Sequence, residues 1–498
     1  MSSLELSAVD QAVTDTPSVL RTRRGALILG LLLLVQFLDF LDVSIVNVAL
    51  PSIRHDLHFS QQSLQWVISG YVLTYGGFLL LGGRLSDLLG RRGILLSGLA
   101  LFGVSSLVGG LSHAEGLLIA ARLTQGVGAA LMSPAALSTL STTFTSSRDR
   151  NAALGAWAAI PGFAGAFGVI LSGVLTEGPG WRWIFYINVP LAVLAGIGAA
   201  ALVGSERPRR DSTFDLAGAV LATSGMLLAI YSLVRAPDAG WSSARTIGEL
   251  AAAAVILVAF VVNEQRAKHP LVPFSIFRIK GLAAANLTQV ISFSGLYSTF
   301  FFLSLYMQNV LHYSPLQTGL AYLPVTGGFM LSVGIVAQLL PRIGTKPVII
   351  GGALLATSGI YFLSRVPEHG TYAAHLLPGV VLLSLGLGGV FGGVTTAATE
   401  GVPADKAGIA SGLLNASMQF GGALGLAVLS AVATGRTRGV LGTGSTIPNA
   451  LTDGFQRAFL VGSGFVLAAA AIAMFAANTR AGEHQARLEL IEAMPEEA

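Results

Sequence analysis

The chain has 498 residues, 53% of them hydrophobic and 11% charged, with eight histidines, no cysteine and a net charge of +4. Soluble domains carry about 25% charged residues, so this composition, with a mean hydropathy of +0.71, excludes an ordinary soluble protein. The absence of cysteine excludes disulfides, thiolate metal sites and cysteine nucleophiles.

In chain order, the first 20 residues are polar and hold three acids, and Arg21, Arg23 and Arg24 precede the first long apolar run. No cleavable signal peptide is expected from that pattern. Fourteen spanning segments follow, with approximate cores at 26–50, 66–85, 94–111, 116–144, 152–175, 183–203, 214–234, 247–262, 282–306, 316–340, 348–363, 373–396, 408–433 and 455–476. About 20 apolar residues cross a bilayer. The chain therefore reads as an all-α membrane protein.

Basic residues alternate between loops. With the N-terminus inside, twenty of the 29 lysines and arginines fall in inside segments, eight in outside segments, and Arg122 within a span. That asymmetry places both termini in the cytoplasm. It also explains the pI of 9.4 without nucleic acid as a partner.

Two hydrophilic breaks, 205–213 and 263–280, flank a helical hairpin, so the organisation reads as six, two and six helices. The expected units are a cytoplasmic tail over 1–25, a first six-helix bundle over 26–204 and linkers with inserted helices 7 and 8 over 205–280. A second six-helix bundle over 281–478 and a cytoplasmic tail over 479–498 complete the chain. The halves carry a faint repeat: Gly90 and Arg92 after helix 2 match Gly344 and Lys346 after helix 10, while Pro341 replaces the acid Asp87. Paired halves around a midplane cavity are a transporter plan.

The first span holds Gln36, Asp39, Asp42 and Asn47. At 100° per residue these fall on one side of the helix, the first three within about 120°. A charge at mid-bilayer costs at least ~2.5–3.5 kcal/mol and should face other helices or a wet cavity. The stripe reads as a proton or substrate site, with a helix-packing face as the bland alternative. Arg122, in the fourth span, needs a carboxylate or water. It either pairs with the deep acids Asp39 or Asp42, or snorkels from its helix end.

Gly83-Arg84-Leu85-Ser86-Asp87-Leu88-Leu89-Gly90-Arg91-Arg92 is the most specific signal. Its glycines allow a tight turn and close helix approach. Asp87 is a candidate to pair with a cation or cap another helix, so the loop reads either as a gating latch or as a plain positive-inside loop. Gly83, Asp87, Gly90, Arg91 and Arg92 are the candidate gating residues. Further candidates for a substrate cavity, with Gln36 and Asn47, are Gln125, Asn286, Gln289, Tyr297, Asn415 and Gln419; each is also readable as a helix-packing hydrogen bond. Phe293, Phe300, Phe301 and Phe302 read equally as cavity lining or lipid-facing packing. No Gly-x-x-x-x-Gly-Lys-Ser/Thr loop is present, so ATP does not power the chain directly. The histidines lack metal spacing, and no catalytic set is apparent.

These motifs resemble the major facilitator superfamily. The 83–92 segment is similar to its helix 2–3 loop, and Leu118–Ala130 around Arg122 to its helix 4 motif. The stretches 41–51, 181–190 and 415–425 resemble its fourteen-helix drug:proton antiporter family. The resemblance implies two six-helix bundles plus an inserted hairpin, and places Asp42 at the family's helix 1 acid with Arg122 near it. It implies a proton-coupled exporter of amphipathic drugs or antibiotics in a bacterial cell membrane. Export of a specific endogenous metabolite or lipid, or proton-coupled symport, are the rivals. Expected partners are protons, small amphipathic or cationic molecules and lipid. No enzyme activity, cofactor or metal is implied, and the chain is expected to act as a monomer. Helix 5 departs from the family pattern: Gly168 to Gly173 lacks the proline, and Pro161 lies seven residues earlier.

Overall fold

The computed structural model describes residues 18–204 except 145, 215–267, 270, 274–279, 281–399, 402 and 407–479. Both tails, the linker 205–214 and part of the second linker lie outside the described residues, as do some side chains within helices.

Fourteen long helices account for the spans. They are α1 (Arg23–Leu57), α2 (Gln61–Leu89), α3 (Arg91–Gly110), α4 (Glu115–Thr143), α5 (Ser147–Glu177) and α6 (Trp183–Leu202). The inserted pair is α7 (Leu216–Ala239) and α8 (Ala244–Arg266). Then come α9 (Leu282–Asn309), α10 (Pro315–Ile343), α11 (Thr345–Leu363), α12 (Tyr372–Thr399), α13 (Ala407–Leu441) and α14 (Ile447–Met474). Among the described residues there is no strand.

Over fully described residues alone, twelve of the fourteen are long and apolar enough to cross a membrane. The other two, α2 and α5, are 29 and 31 residues long. Each lies between the first and last six helices: α2 packs on α4, α7 and α13, and α5 on α1 and α10. Helix α1 passes the expected stop at Pro51 and runs to Leu57. A proline removes an N–H donor and crowds the carbonyl four residues earlier, yet the helix continues, and His58, with φ of 57°, ends it in the left-handed region.

The two halves repeat one packing pattern. In the first six helices α1 packs on α5 and α6, α4 on α2 and α3, and α3 on α6; adding eight to every number gives the pairs of the last six. The sequence repeat lies on a matching turn. Gly90 ends α2 with φ of 95° and Gly344 ends α10 with φ of 84°, a region that side chains rarely adopt. Close backbone approach holds the pairs together. A Cβ on Gly128 of α4 would sit 2.7 Å from the Phe102 nitrogen of α3, and one on Gly386 of α12 would sit 2.3 Å from the Ala356 nitrogen of α11.

The inserted hairpin is asymmetric in its contacts. Helix α7 seats on both α2 and α13; Gly77 admits Leu227, Trp66 and Tyr231 lie 5.9 Å apart, and Gln65 Nε2 donates to the Val234 carbonyl at 3.2 Å. Helix α8 packs on α7 and leaves Val255 and Val258 exposed, which suits a lipid-facing surface.

One end of the bundle carries Arg21, Arg24, Arg91, Arg92, Arg266 and Arg342 and is called the basic end below; the other, with Arg54, Arg182 and Arg438, is the far end. Three hydrogen bonds between described residues join the first six helices to the last six, and all lie at the far end. Glu177 of α5 accepts from Ser314 Oγ (2.9 Å) and the Leu316 amide (3.2 Å), and Gln308 Nε2 donates to the Val48 carbonyl (2.9 Å). Beside them a Cβ on Gly173 would meet the Leu316 backbone at 2.8 Å, and one on Gly319 the Val169 carbonyl at 2.8 Å. The expected helix 5 stretch is thus a two-sided contact: Gly168 faces Ser44 of α1 and Gly173 faces α10.

Gly128→Val should force α3 and α4 apart, costing about 1–3 kcal/mol or more. Its detergent-solubilised melting temperature should fall well below wild type. Gly93→Val, at a position with open space around it, should melt like wild type.

Candidate functional site

Asp42 of α1 and Arg122 of α4 form an ion pair of 2.5 Å, with side chains 0% and 1% exposed. Two charges without water are tolerated only when their remaining hydrogen-bonding groups are satisfied. Here the partners come from α2, α4 and α6, with α3 behind them. Arg122 Nη1 also donates to Gln125 Oε1 (2.7 Å), and its Nε to the Val67 carbonyl of α2 (2.8 Å). Asp42 Oδ1 accepts from Gln125 Nε2 and from Asn188 Nδ2 of α6, each at 2.8 Å. Ser106 of α3 accepts from both amides, at 3.3 and 3.2 Å, and donates to the Phe185 carbonyl at 2.9 Å. The Tyr71 ring lies 4.5 Å from the guanidinium carbon, a cation–π contact.

Local structure explains who meets. Arg122 and Gln125 are three residues apart on α4 and so share a face. Asn188 is brought in by the turn before α6, where Trp181 Nε1 and Arg182 Nη1 donate to Asp56 at 3.0 and 2.7 Å.

Asp39, one turn nearer the basic end, sits in a different environment. Tyr71 donates to its Oδ1 and Tyr75 to its Oδ2, each at 2.6 Å, and it is 2% exposed. Tyr71 therefore touches both acids' surroundings: its hydroxyl holds Asp39 and its ring carries the cation that pairs with Asp42.

The other candidates separate into three groups. Gln125 belongs to the Asp42 cluster. Asn47 donates to the Val43 carbonyl of its own helix (2.9 Å), and Asn286 binds the Leu282 carbonyl and accepts from Ser417 Oγ (2.8 and 2.9 Å). Gln36 Oε1, Gln289 Oε1, Tyr297 hydroxyl and Gln419 Nε2 are buried with no partner among the described residues. Asn415 is part-buried. Of the loop residues, Gly83 faces Pro134 of α4. Arg91 Nη1 donates to Thr142 Oγ1 of α4 and Arg92 Nη2 to the Ala200 carbonyl of α6, each at 2.6 Å. Both bonds stay within the first six helices. The Asp87 side chain lies outside the described residues. Sequence reasoning assigned no role to Tyr71, Tyr75, Ser106 or Asn188. A phenol, a serine or an asparagine in a span carries no signal of its own, although Asn188 falls in the 181–190 stretch already singled out.

Arg122→Ala should leave the Asp42 carboxylate buried without its cation, a loss of order 3–5 kcal/mol. The double variant Arg122→Ala with Asp42→Ala should recover a large part of it. Thermal unfolding of the two purified proteins, side by side, checks this; equal melting temperatures would show that the charges do not depend on one another.

Comparison with known proteins adds an independent line. The profile of the Major Facilitator Superfamily matches residues 32–426. The chain is 39% identical to the puromycin resistance protein pur8 of Streptomyces alboniger, over 88% of each chain. It is 38% identical to the cephamycin export protein CmcT of Amycolatopsis lactamdurans, over 86% of this chain and 89% of that one. Among solved structures it is similar to the POT family transporter PepTSo, with a TM-score of 0.66 at 15% identity, covering 93% of this chain and 98% of that one. The fold and these relatives agree, and the chain belongs to the major facilitator superfamily of membrane transporters.

Proposed function

We propose that the protein is a proton-coupled secondary transporter that exports amphipathic small molecules, cationic ones included, across a bacterial cell membrane by alternating access. The basic end is then cytoplasmic. The observation that carries this reading is the buried Asp42–Arg122 pair, a titratable carboxyl wholly enclosed within one half of a transporter.

The hydrogen-bond pattern supports a carboxyl that exchanges a proton. Arg122, Gln125 and Asn188 all donate to Asp42, which is the pattern of an ionised, acceptor-only group. A proton arriving there needs an acceptor for its O–H. Asn188 Oδ1 is buried and has no partner among the described residues, so a half-turn of that amide offers one. The donors around Asp42 come from α4 and α6, so any shift of those helices relative to α1 rearranges the hydrogen bonds of the carboxyl and links proton exchange to helix movement. The unpartnered groups of Gln36, Gln289, Tyr297 and Gln419, drawn from α1, α9 and α13, are the substrate-contacting groups in this reading. The cross-half bonds at the far end fit a state closed toward the outside.

Relatives named for resistance to, or export of, single antibiotics favour a second reading, a narrow exporter of one endogenous metabolite. A resistance panel on overproducing cells separates a broad from a narrow range.

Asp42→Asn should abolish substrate-induced proton release from purified protein while sparing binding of neutral substrates. Asp39→Asn should keep proton release and change which substrates move, chiefly the cationic ones. Full proton release from Asp42→Asn would move the role elsewhere. For orientation, a single cysteine at exposed His113 or His369 should react with a membrane-impermeant thiol reagent in intact cells, and one at exposed Thr22 or Gln265 should not. The reverse pattern would invert the proposed topology.

A further inference from the structure

A second cavity lies at the far end, away from the Asp42 cluster. It has a volume of about 330 Å³, within the roughly 300–1,000 Å³ of small-molecule sites. Its walls come from both halves: α1 and α2 on one side, α9, α13 and α14 on the other. Phe301, Phe302 and Phe455, which are 5%, 3% and 2% exposed, give it an apolar floor. Arg54 of α1 and Arg438 of α13 also line it, and both side chains are exposed.

The two arginines differ from most of their neighbours. At the same end Arg182 pairs with Asp56, Arg245 with Glu249 and Arg436 with Asp453, while Arg235 and Arg365 bond tyrosine hydroxyls. Among the described residues the guanidinium groups of Arg54 and Arg438 have no hydrogen bond or ion pair. The acids closest to them along the chain, Asp56 and Asp453, are already engaged by Arg182 and Arg436. A guanidinium presents its donors in a fork that matches carboxylate and phosphate oxygens. Two such groups from opposite halves, above an aromatic floor, complement a ligand with an anionic head and an apolar tail.

We propose that this cavity binds an anionic amphiphile, its phosphate or carboxylate between Arg54 and Arg438 and its tail on the phenylalanines. Such a ligand bridges the two halves where they already touch. It therefore favours the conformer closed at the far end and slows any cycle that must open there, since a ligand shifts a conformational equilibrium toward the state it binds better. The site stands independently of the proton-coupling reading, because binding is measured on the resting protein.

The test uses the full-length purified protein and dodecyl phosphate as probe, read as a thermal stabilisation titrated to a Kd. Dodecyl trimethylammonium and dodecyl maltoside serve as head-group controls, and inorganic phosphate as the tail control. Dodecyl phosphate alone should stabilise wild type. Arg54→Ala and Arg438→Ala should each weaken it about tenfold, and the double variant by more, in line with the loss of charge-assisted hydrogen bonds. Thr437→Trp, which fills the cavity from its wall and keeps both charges, should also abolish the stabilisation. Equal stabilisation of the double variant, or of wild type by the cationic amphiphile, overturns the proposal. A full effect of inorganic phosphate overturns the amphiphile class. Repeating the titration in phosphatidylcholine nanodiscs with and without phosphatidylglycerol then assigns the source. Competition by phosphatidylglycerol means a bilayer headgroup, and no competition means an amphiphile arriving from water; both keep the site and its two arginines.

Discussion

Placing a carboxylate and a guanidinium where there is no water costs several kcal/mol per ion, and only complete hydrogen bonding offsets it. Asp42 and Arg122 draw on five of the first six helices: Val67 from α2, Gln125 from α4 and Asn188 from α6 bond the pair, and Ser106 from α3 holds the two amides, around the acid on α1. The same network explains several features that otherwise look unrelated. The turn ahead of α6 is pinned to the end of α1 by Asp56, which fixes where Asn188 enters. Tyr71 lies against the guanidinium and so excludes water from one face.

Among the described residues the last six helices contain no buried counterpart of that pair. Their interior is closed by glycine contacts between α11 and α12, and between α9 and α13, where a Cβ on Gly425 would fall 1.9 Å from the Ser294 carbonyl. The packing pattern repeats between the halves, yet the chemistry does not. Charge is held in the first half. The second half offers uncharged groups, among them Gln289 Oε1 and the Tyr297 hydroxyl, which are buried without partners among the described residues. Unpartnered buried polar atoms are rare in proteins, and α9 and α13 carry several of those found among the described residues.

Contacts between the halves are also unequal along the bundle. At the far end Glu177, Ser314 and Gln308 tie α5 to α10 and α1 to α9, with Gly173 and Gly319 letting backbones touch. The arginines of the helix 2–3 loop bond instead to α4 and α6, so in this conformer they brace their own half. Helix α7, seated on α2 and α13 together, covers one of the two seams between halves and leaves the α5–α10 seam uncovered, so the inserted hairpin breaks the symmetry of the plan.

The sequence by itself determined the fourteen long helices, the polar stripe Gln36, Asp39 and Asp42 on α1, the solitary Arg122 and the matched turns at Gly90 and Gly344. All of these are local: apolar run length, helical period and the conformational freedom of glycine act over a few residues. Only the tertiary structure decided which polar groups meet. It put Tyr71 and Tyr75 on Asp39, Asn188 on Asp42, and Gln125 with the ion pair, and it left Asn47 bonded to its own helix. It also carried α1 past Pro51, because the following turns pack on neighbouring helices. Lateral partners are chosen by how helices distant in the chain cross, and that choice rests on backbone contacts at glycines and on burial, which have no period along the sequence.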